Sequence, residues 1–284
     1  MANVIISADS TADLGEALVK KYAISIIPVH VVLEDVVYSD GVDITPDAIY
    51  KTYGEKKILP KTTAINIDEY TNYFKSLTAD GAAVIHFCTG SGISSCCQNA
   101  MIAAQDFENV YVIDSKNLST GIGLQILNAA EKIQQGMSAK EVADSMQEIV
   151  AKTEASFFID TLEFLYKGGR CSALSVLGAN LLKIRPSIKV DPTTGTMSMD
   201  KKFRGTYDTC LEMYIRDKLE GRTDIDTHRV FITHAGGLTE EDEQKAKEMV
   251  QQYMDFDEVL ITHAGSTISS HCGPKTLGVL FIRK

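Results

Sequence analysis

The sequence predicts an α/β protein of two α/β domains, the first with a doubly wound, mainly parallel sheet and the second with a mixed sheet. Three observations carry this. Short β-rich runs alternate with helical stretches through the first half, the pattern of βαβ units. A hairpin signal, Pro192-Thr193-Thr194-Gly195, interrupts that alternation in the second half. The chain has 284 residues, and at roughly 150 per domain it has room for one large domain or two smaller ones. The change of pattern decides for two, divided as residues 1–153 and 154–284.

In the first half, residues 4–7 form a β-rich run, 14–22 a helical pattern, and 24–32 a second β-rich run. Thr45-Pro46 reads as an N-cap followed by proline at the first helical position, opening a helix over 46–53. Residues 59–66 are a polar loop before a helix over 68–77. Strand 83–88, helix 93–105, strand 110–114 and helix 119–135 follow. Ser138-x-x-Glu141 is a capping box in front of a helix over 139–153.

The second half starts with strand 155–160 and a short helix over 162–166. Gly168-Gly169 breaks the chain before an apolar helical segment, 173–184. Residues 187–191 and 196–202 are the arms of the hairpin. Helix 208–219 leads to strand 230–234, and Thr239-x-x-Asp242 caps a charged helix over 240–254. Strands at 259–263 and 277–282 close the chain.

Composition excludes several classes. With 44% hydrophobic and 23% charged residues, 20 Gly and 6 Pro, the chain is neither disordered nor collagen-like. Its longest apolar runs, such as 24–32, fall far short of the ~20 residues a membrane span needs. Residues 1–9 show neither a basic leader nor a long apolar stretch, so a cytoplasmic protein without a signal peptide is expected. A net charge of −10 is the wrong sign for a duplex-binding protein, which releases counterions with clustered Lys and Arg. Cys88, Cys96, Cys97, Cys171, Cys210 and Cys272 contain no Cys-x-x-Cys pair. They read as reduced core thiols rather than a zinc site or disulfide framework.

Ligands of doubly wound sheets bind beyond the carboxyl ends of the strands. The loops there are rich in hydroxyls and glycine: Asp9-Ser10-Thr11, Thr89-Gly90-Ser91-Gly92-Ile93-Ser94, Asp114-Ser115, His234-Ala235-Gly236-Gly237 and His263-Ala264-Gly265-Ser266-Thr267. Such residues also serve ordinary turns and caps. The loop around Ser91 stands out because it precedes a predicted helix, whose first N–H groups suit an anion. No P-loop, no Gly-x-Ser-x-Gly elbow and no His-Glu-x-x-His occurs, and Gly90-Ser91-Gly92 lacks the third glycine of a dinucleotide loop. Between Lys167 and Arg204 eight basic residues face two acidic ones. This is either a distributed basic face or a surface that steers an acidic partner.

Taken in order, Asp9-Ser10-Thr11-Ala12-Asp13-Leu14, Lys61-Thr62-Thr63, Ser91-Gly92-Ile93-Ser94, Asp114-Ser115, Lys167-Gly168-Gly169-Arg170 and His271-x-Gly273-Pro274 resemble the DegV family. These are bacterial fatty-acid-binding proteins that present an acyl chain to a fatty acid kinase. The resemblance spans essentially the whole chain. It implies two α/β domains with a long-chain fatty acid between them and no further cofactor or metal. It also implies that Thr62, Ser91 and the Gly92 amide bind the carboxylate, with Thr63 and Ser94 nearby and His271 close to the head group. Arg170 would sit at the rim, where the kinase docks. The chain departs from the family pattern at Ala64, Cys96, Cys97 and Lys275. A monomer with no stable membrane insertion and no nucleic-acid partner is expected. The tail would lie against residues 173–184 and the helix after Ile93.

A reading from another class stands beside this one. Ser91 with His271 as nucleophile and base would make the protein a hydrolase or transferase acting on a small carboxylated or phosphorylated substrate. The absent elbow and the missing third member of a triad weigh against it.

Overall fold

A computed structural model of the protein describes residues 3–170 and 184–284. Its first sheet is parallel, in the order β2-β1-β6-β7, with β1 (Val4–Asp9) and β6 (Ala83–Cys88) in the centre. Both central strands are nearly continuous runs of buried residues, as a sheet covered on both faces requires. β7 (Val110–Asp114) and β2 (Ser25–Ile27) form its edges.

The β-rich run 24–32 proves to be two strands. Pro28 offers no N–H to a ladder, and beyond it β3 (His30–Leu33) leaves the parallel sheet. It enters a small antiparallel sheet between β4 (Val36–Ser39) and β5 (Lys61–Thr63). Glu34 and Asp35, at φ 51° and 65°, make the tight two-residue turn that suits strand twist. β5 falls inside the predicted polar loop: its three residues alternate with no apolar face and are a strand only because β3 pairs with them.

The second sheet is mixed, in the order β10-β9-β8-β13-β11-β12. β8 (Thr153–Phe158) lies antiparallel between β9 (Arg185–Val190) and β13 (Leu277–Arg283). β11 (Ile225–His234) is parallel to β12 (Glu258–His263). β9 and β10 (Met197–Phe203) are the predicted hairpin. Its turn is pinned by Asp191 Oδ1, which accepts the N–H groups of Thr193 and Thr194 at 2.8 and 3.1 Å.

Local capping decides the helix starts. The side chains of Thr45, Ser138 and Thr239 each accept an N–H of the first turn, at α2 (Pro46–Lys56), α6 (Ala139–Lys152) and α9 (Glu240–Tyr253). α1 (Gly15–Lys21), α3 (Ile67–Leu77), α7 (Glu163–Gly168) and α8 (Tyr207–Leu219) also follow the sequence pattern. α4 (Cys96–Ala103) starts three residues later than predicted, because Gly90 O accepts from the amides of Ile93 and Ser94 and turns the chain first.

α5 (Thr120–Gln134) is buried along most of its length. One apolar cluster joins Ile6 and Phe87 of the first sheet, Ile122 and Leu127 of α5, and Phe157, Phe231 and Leu280 of the second. A separate cluster with Tyr214, Leu219, Val230 and Phe281 lies under α8 and α9. No described helix is long and apolar enough to cross a membrane.

α10 (Ser266–Cys272) has no apolar periodicity that would announce it. Its first amides are held from far away: Gly265 N–H donates to Asp13 Oδ1 at 2.8 Å and Ser266 N–H to Asp40 Oδ1 at 2.7 Å. Burial raises the pKa of the Asp13 carboxyl to about 8, so what the two side chains supply is acceptors for amides that the first turn leaves unpaired. The apolar segment expected over 173–184 falls, save for its last residue, outside the described residues.

Candidate functional site

Thr62, Thr63, Ser91, Gly92, Ser94, Arg170 and His271 all line one cavity of about 390 Å³, a size typical of small-molecule sites. Val29, Leu118, Leu165, Met197 and Ile268 supply apolar wall. Strand β5 brings Thr62 and Thr63, the loop after β6 brings Ser91 to Ser94, α7 leads to Arg170, and α10 carries His271.

The Ser91 loop is held by close backbone approach. A Cβ on Gly90 would lie 2.7 Å from Asn117 N, and one on Gly92 would lie 2.4 Å from Thr194 O in the β9–β10 turn. Only glycine fits either position. The Ser91 amide donates to Asp114 Oδ1 at 3.0 Å, and its hydroxyl accepts from Lys116 Nζ at 2.8 Å. Ser94 Oγ accepts from the Cys96 amide at 3.2 Å. The Gly92 amide has no partner among the described residues. Lys116 escaped sequence reading; its place directly after Asp114-Ser115 was the one available signal.

His271 Nε2 is 2.7 Å from Thr62 Oγ1, and its Nδ1 is buried without a partner among the described residues. Burial, and then the charge of Arg170, push its pKa down to about 4, so the ring is neutral at pH 7. Gly168 packs on the ring so closely that a Cβ there would stand 2.4 Å from Nδ1. Arg170 is exposed and donates to Gly168 O at 2.8 Å. An internal ion pair is not formed by it among the described residues.

Much of the basic segment is neutralised. Lys167 pairs with Glu163, Arg185 with Asp160, Lys189 with Asp200 and Lys201 with Asp217. Four of the eight charges are thus met locally, Lys183 falls outside the described residues, and of the others Arg170 lines the cavity.

The donor sets for catalysis are occupied otherwise. The Ser91 hydroxyl is engaged by Lys116 and the His271 ring by Thr62, so these two do not form a nucleophile–base pair. A row resembling a triad does exist: Ser7 Oγ lies 2.9 Å from His86 Nδ1, and His86 Nε2 lies 3.3 Å from Asp9 Oδ1. All three are fully buried. Asp9 also accepts from Tyr70 and from the amide and hydroxyl of Thr89. This row is a support under the start of the Ser91 loop.

Among the described residues two clusters have the residue types of a metal centre. Asp9, His86 and Cys88 are closed in the core. His234 and His263, paired in register on β11 and β12, both place Nε2 beside Glu243 Oε1, at 3.0 and 3.1 Å. Gly236 N–H donates to His234 Nδ1 at 3.2 Å, which leaves the proton on Nε2. A metal ligand needs that nitrogen bare and the other one protonated, so the cluster is built as a hydrogen-bonded trio.

Comparison with known proteins agrees with the geometry. A family model described as "Uncharacterised protein, DegV family" matches residues 3–284. A DegV domain-containing protein of Caldanaerobacter subterraneus subsp. tengcongensis is 28% identical, over 100% of both chains. A fatty-acid-binding DegV family protein of Thermus thermophilus superposes with a TM-score of 0.87 at 25% identity, covering 99% of this chain and 100% of that one. A stearic-acid-binding protein of Eubacterium ventriosum gives 0.85 at 25% identity, covering 100% and 99%.

Proposed function

The chain belongs to the DegV family, and from that membership we propose that it binds one long-chain fatty acid non-covalently and presents it to a fatty acid kinase for acyl-phosphate formation. The observation that carries this is the convergence of Thr62, Ser91, Gly92 and His271 on one cavity that Val29, Leu118, Leu165, Met197 and Ile268 also line. Relatives of the same fold hold fatty acids.

Hydroxyl and amide donors hold a carboxylate well, because hydrogen bonds to an ionised acceptor are short and strong. Thr62, Ser91 and the Gly92 amide are the donors, with Thr63 and Ser94 in reserve. His271 stays neutral and orients Thr62. The tail supplies most of the affinity: ~14 buried methylenes at about 0.8 kcal/mol each offer roughly 11 kcal/mol before the costs of association.

A carrier of this kind hands over the head group while keeping the tail. The exposed guanidinium of Arg170, beside the cavity and free of an acidic partner among the described residues, suits a docking contact to a carboxylate or phosphate. No catalytic residue is assigned. The free thiols of Cys88, Cys96, Cys97, Cys210 and Cys272 fit a protein working in the reducing cytoplasm.

Native mass spectrometry and lipid extraction test the reading. Protein purified without added lipid is expected to carry about one long-chain fatty acid per molecule. Protein that is repeatedly empty and also refuses added fatty acid overturns it.

A further inference from the structure

Lys116 stands behind the Ser91 hydroxyl. It follows β7 at φ 49°, a left-handed backbone uncommon for a residue with a side chain, so its surroundings must hold it there. Its Nζ lies 2.7 Å from Asp114 Oδ2 and 2.8 Å from Ser91 Oγ. Asp114 Oδ1 meanwhile accepts two backbone amides, from Ser91 at 3.0 Å and from Lys116 at 3.1 Å. Burial alone would push the Asp114 carboxyl up, but the hydrogen bonds from Lys116 and Ser91 outweigh it and hold the pKa below its ordinary value. Asp114 is therefore ionised, and it fixes both the lysine and the serine loop.

An ammonium can only donate, while a serine hydroxyl has one proton and two acceptor positions. Lys116 takes one of those acceptor positions, and the single Ser91 proton is shared between the Asp114 carboxylate, which it helps to hold ionised, and an anion placed in the cavity. Asp114 already receives three hydrogen bonds, close to the roughly four a carboxylate accepts. The open side of Ser91 is the cavity, whose wall it forms. Because Lys116 and Asp114 compensate each other in charge, the pair acts at short range, through Ser91, rather than by a long-range field.

We propose that Lys116 is a positioning residue of the head-group site: it aims the Ser91 hydroxyl into the cavity and strengthens it as a donor, so that the site prefers an ionised carboxylate to an uncharged head group. This rests on the fatty-acid reading above. A hydroxyl whose oxygen is bound by a cation is a better donor, and the gain is greatest when its acceptor is an anion. A lysine that merely propped the loop would favour no kind of head group.

The test compares stearic acid with stearyl alcohol in the full chain, by calorimetric titration of wild type, Lys116→Met and Lys116→Arg. Lys116→Met is expected to weaken stearic acid about tenfold and the alcohol by less than about twofold, the scale of one charge-assisted hydrogen bond. With carboxyl-13C stearate, the titration midpoint of the bound carboxylate should move upward in Lys116→Met and return in Lys116→Arg. If Lys116→Met fails to fold by circular dichroism, Lys116→Gln, which keeps a donor and loses the charge, makes the same comparison. Equal losses for acid and alcohol with no shift in midpoint overturn the proposal, as does a variant that binds both as wild type does. Wild-type protein that binds neither ligand overturns the fatty-acid reading as well, so the two failures are distinguishable.

Discussion

His271 Nε2 and Thr62 Oγ1 meet at 2.7 Å across a sequence separation of 209 residues. The bond ties β5 of the small sheet to α10, and Gly168 closes the other side of the ring. The imidazole, neutral at pH 7, holds that hydroxyl without adding a charge to the cavity wall.

The neutrality of His271 has a pH signature. Its folded pKa of about 4 lies below the ordinary 6.5, so the unfolded chain takes up the proton first. Its contribution is present above about pH 6.5 and is lost as pH falls toward 4. His271→Asn is expected to flatten the acid limb of stability by on the order of 2 kcal/mol. Urea melts of both proteins at pH 7, 5.5 and 4.5 measure it. Parallel curves would mean that the ring titrates alike in the folded and unfolded chain and is not held neutral by its burial.

Thr62→Ala and Ser91→Ala should each weaken fatty acid binding by roughly 0.5–3 kcal/mol, the cost of one hydrogen bond to a charged group. Ser91→Ala should melt close to wild type, since that side chain lies exposed at the cavity, whereas Thr62→Ala should melt lower because it leaves His271 Nε2 without its partner. Unchanged affinity in the double variant would remove both residues from the carboxylate site.

Gly92→Ala brings a methyl to 2.4 Å from the Thr194 carbonyl oxygen. Neither backbone can yield cheaply, so a loss of about 1–3 kcal/mol in stability is expected, as for overpacking elsewhere. Fatty acid binding should fall with it, because the Ser91 loop must shift away from the hairpin. Calorimetric melting and ligand titration on the same sample check both; full stability would show that the turn at 193–195 gives way freely.

Arg170→Ala should leave melting temperature and fatty acid affinity unchanged while abolishing acyl-phosphate formation with a cognate kinase. Among the described residues its hydrogen bond goes to the Gly168 carbonyl, too little to support the fold. A large fall in stability would point to an internal role, and full turnover with the kinase would remove Arg170 from the docking surface.

What could be read from the sequence follows how locally each feature is determined. Thr45, Ser138 and Thr239 cap helices through residues three positions away, and the hairpin turn is closed by Asp191 within its own loop. Such features declare themselves in any short window. β5 and α10 do not: Lys61-Thr62-Thr63 is a strand because Val31 and its neighbours pair with it, and α10 starts on Asp13 and Asp40. The family resemblance thus marks Thr62 and His271 as site residues, while periodicity does not show the elements that carry them. Lys116 was missed for a related reason, since its role depends on a loop 25 residues away.

The capping of α10 from Asp13 and Asp40 also bears on how the protein comes into being. Gly265 and Asp13 are 252 positions apart, and Ser266 and Asp40 are 226. Contacts of such separation close large loops and form late, and a chain leaving the ribosome makes its N-terminal part first. The first sheet and the Ser91 loop can therefore take shape while α10 is still unmade. Until the last twenty or so residues of the chain emerge, His271 has no helix to stand on. A chain that lacks α10 would present Thr62 and the Ser91 loop with nothing of His271 opposite them, so one wall of the cavity exists before the other.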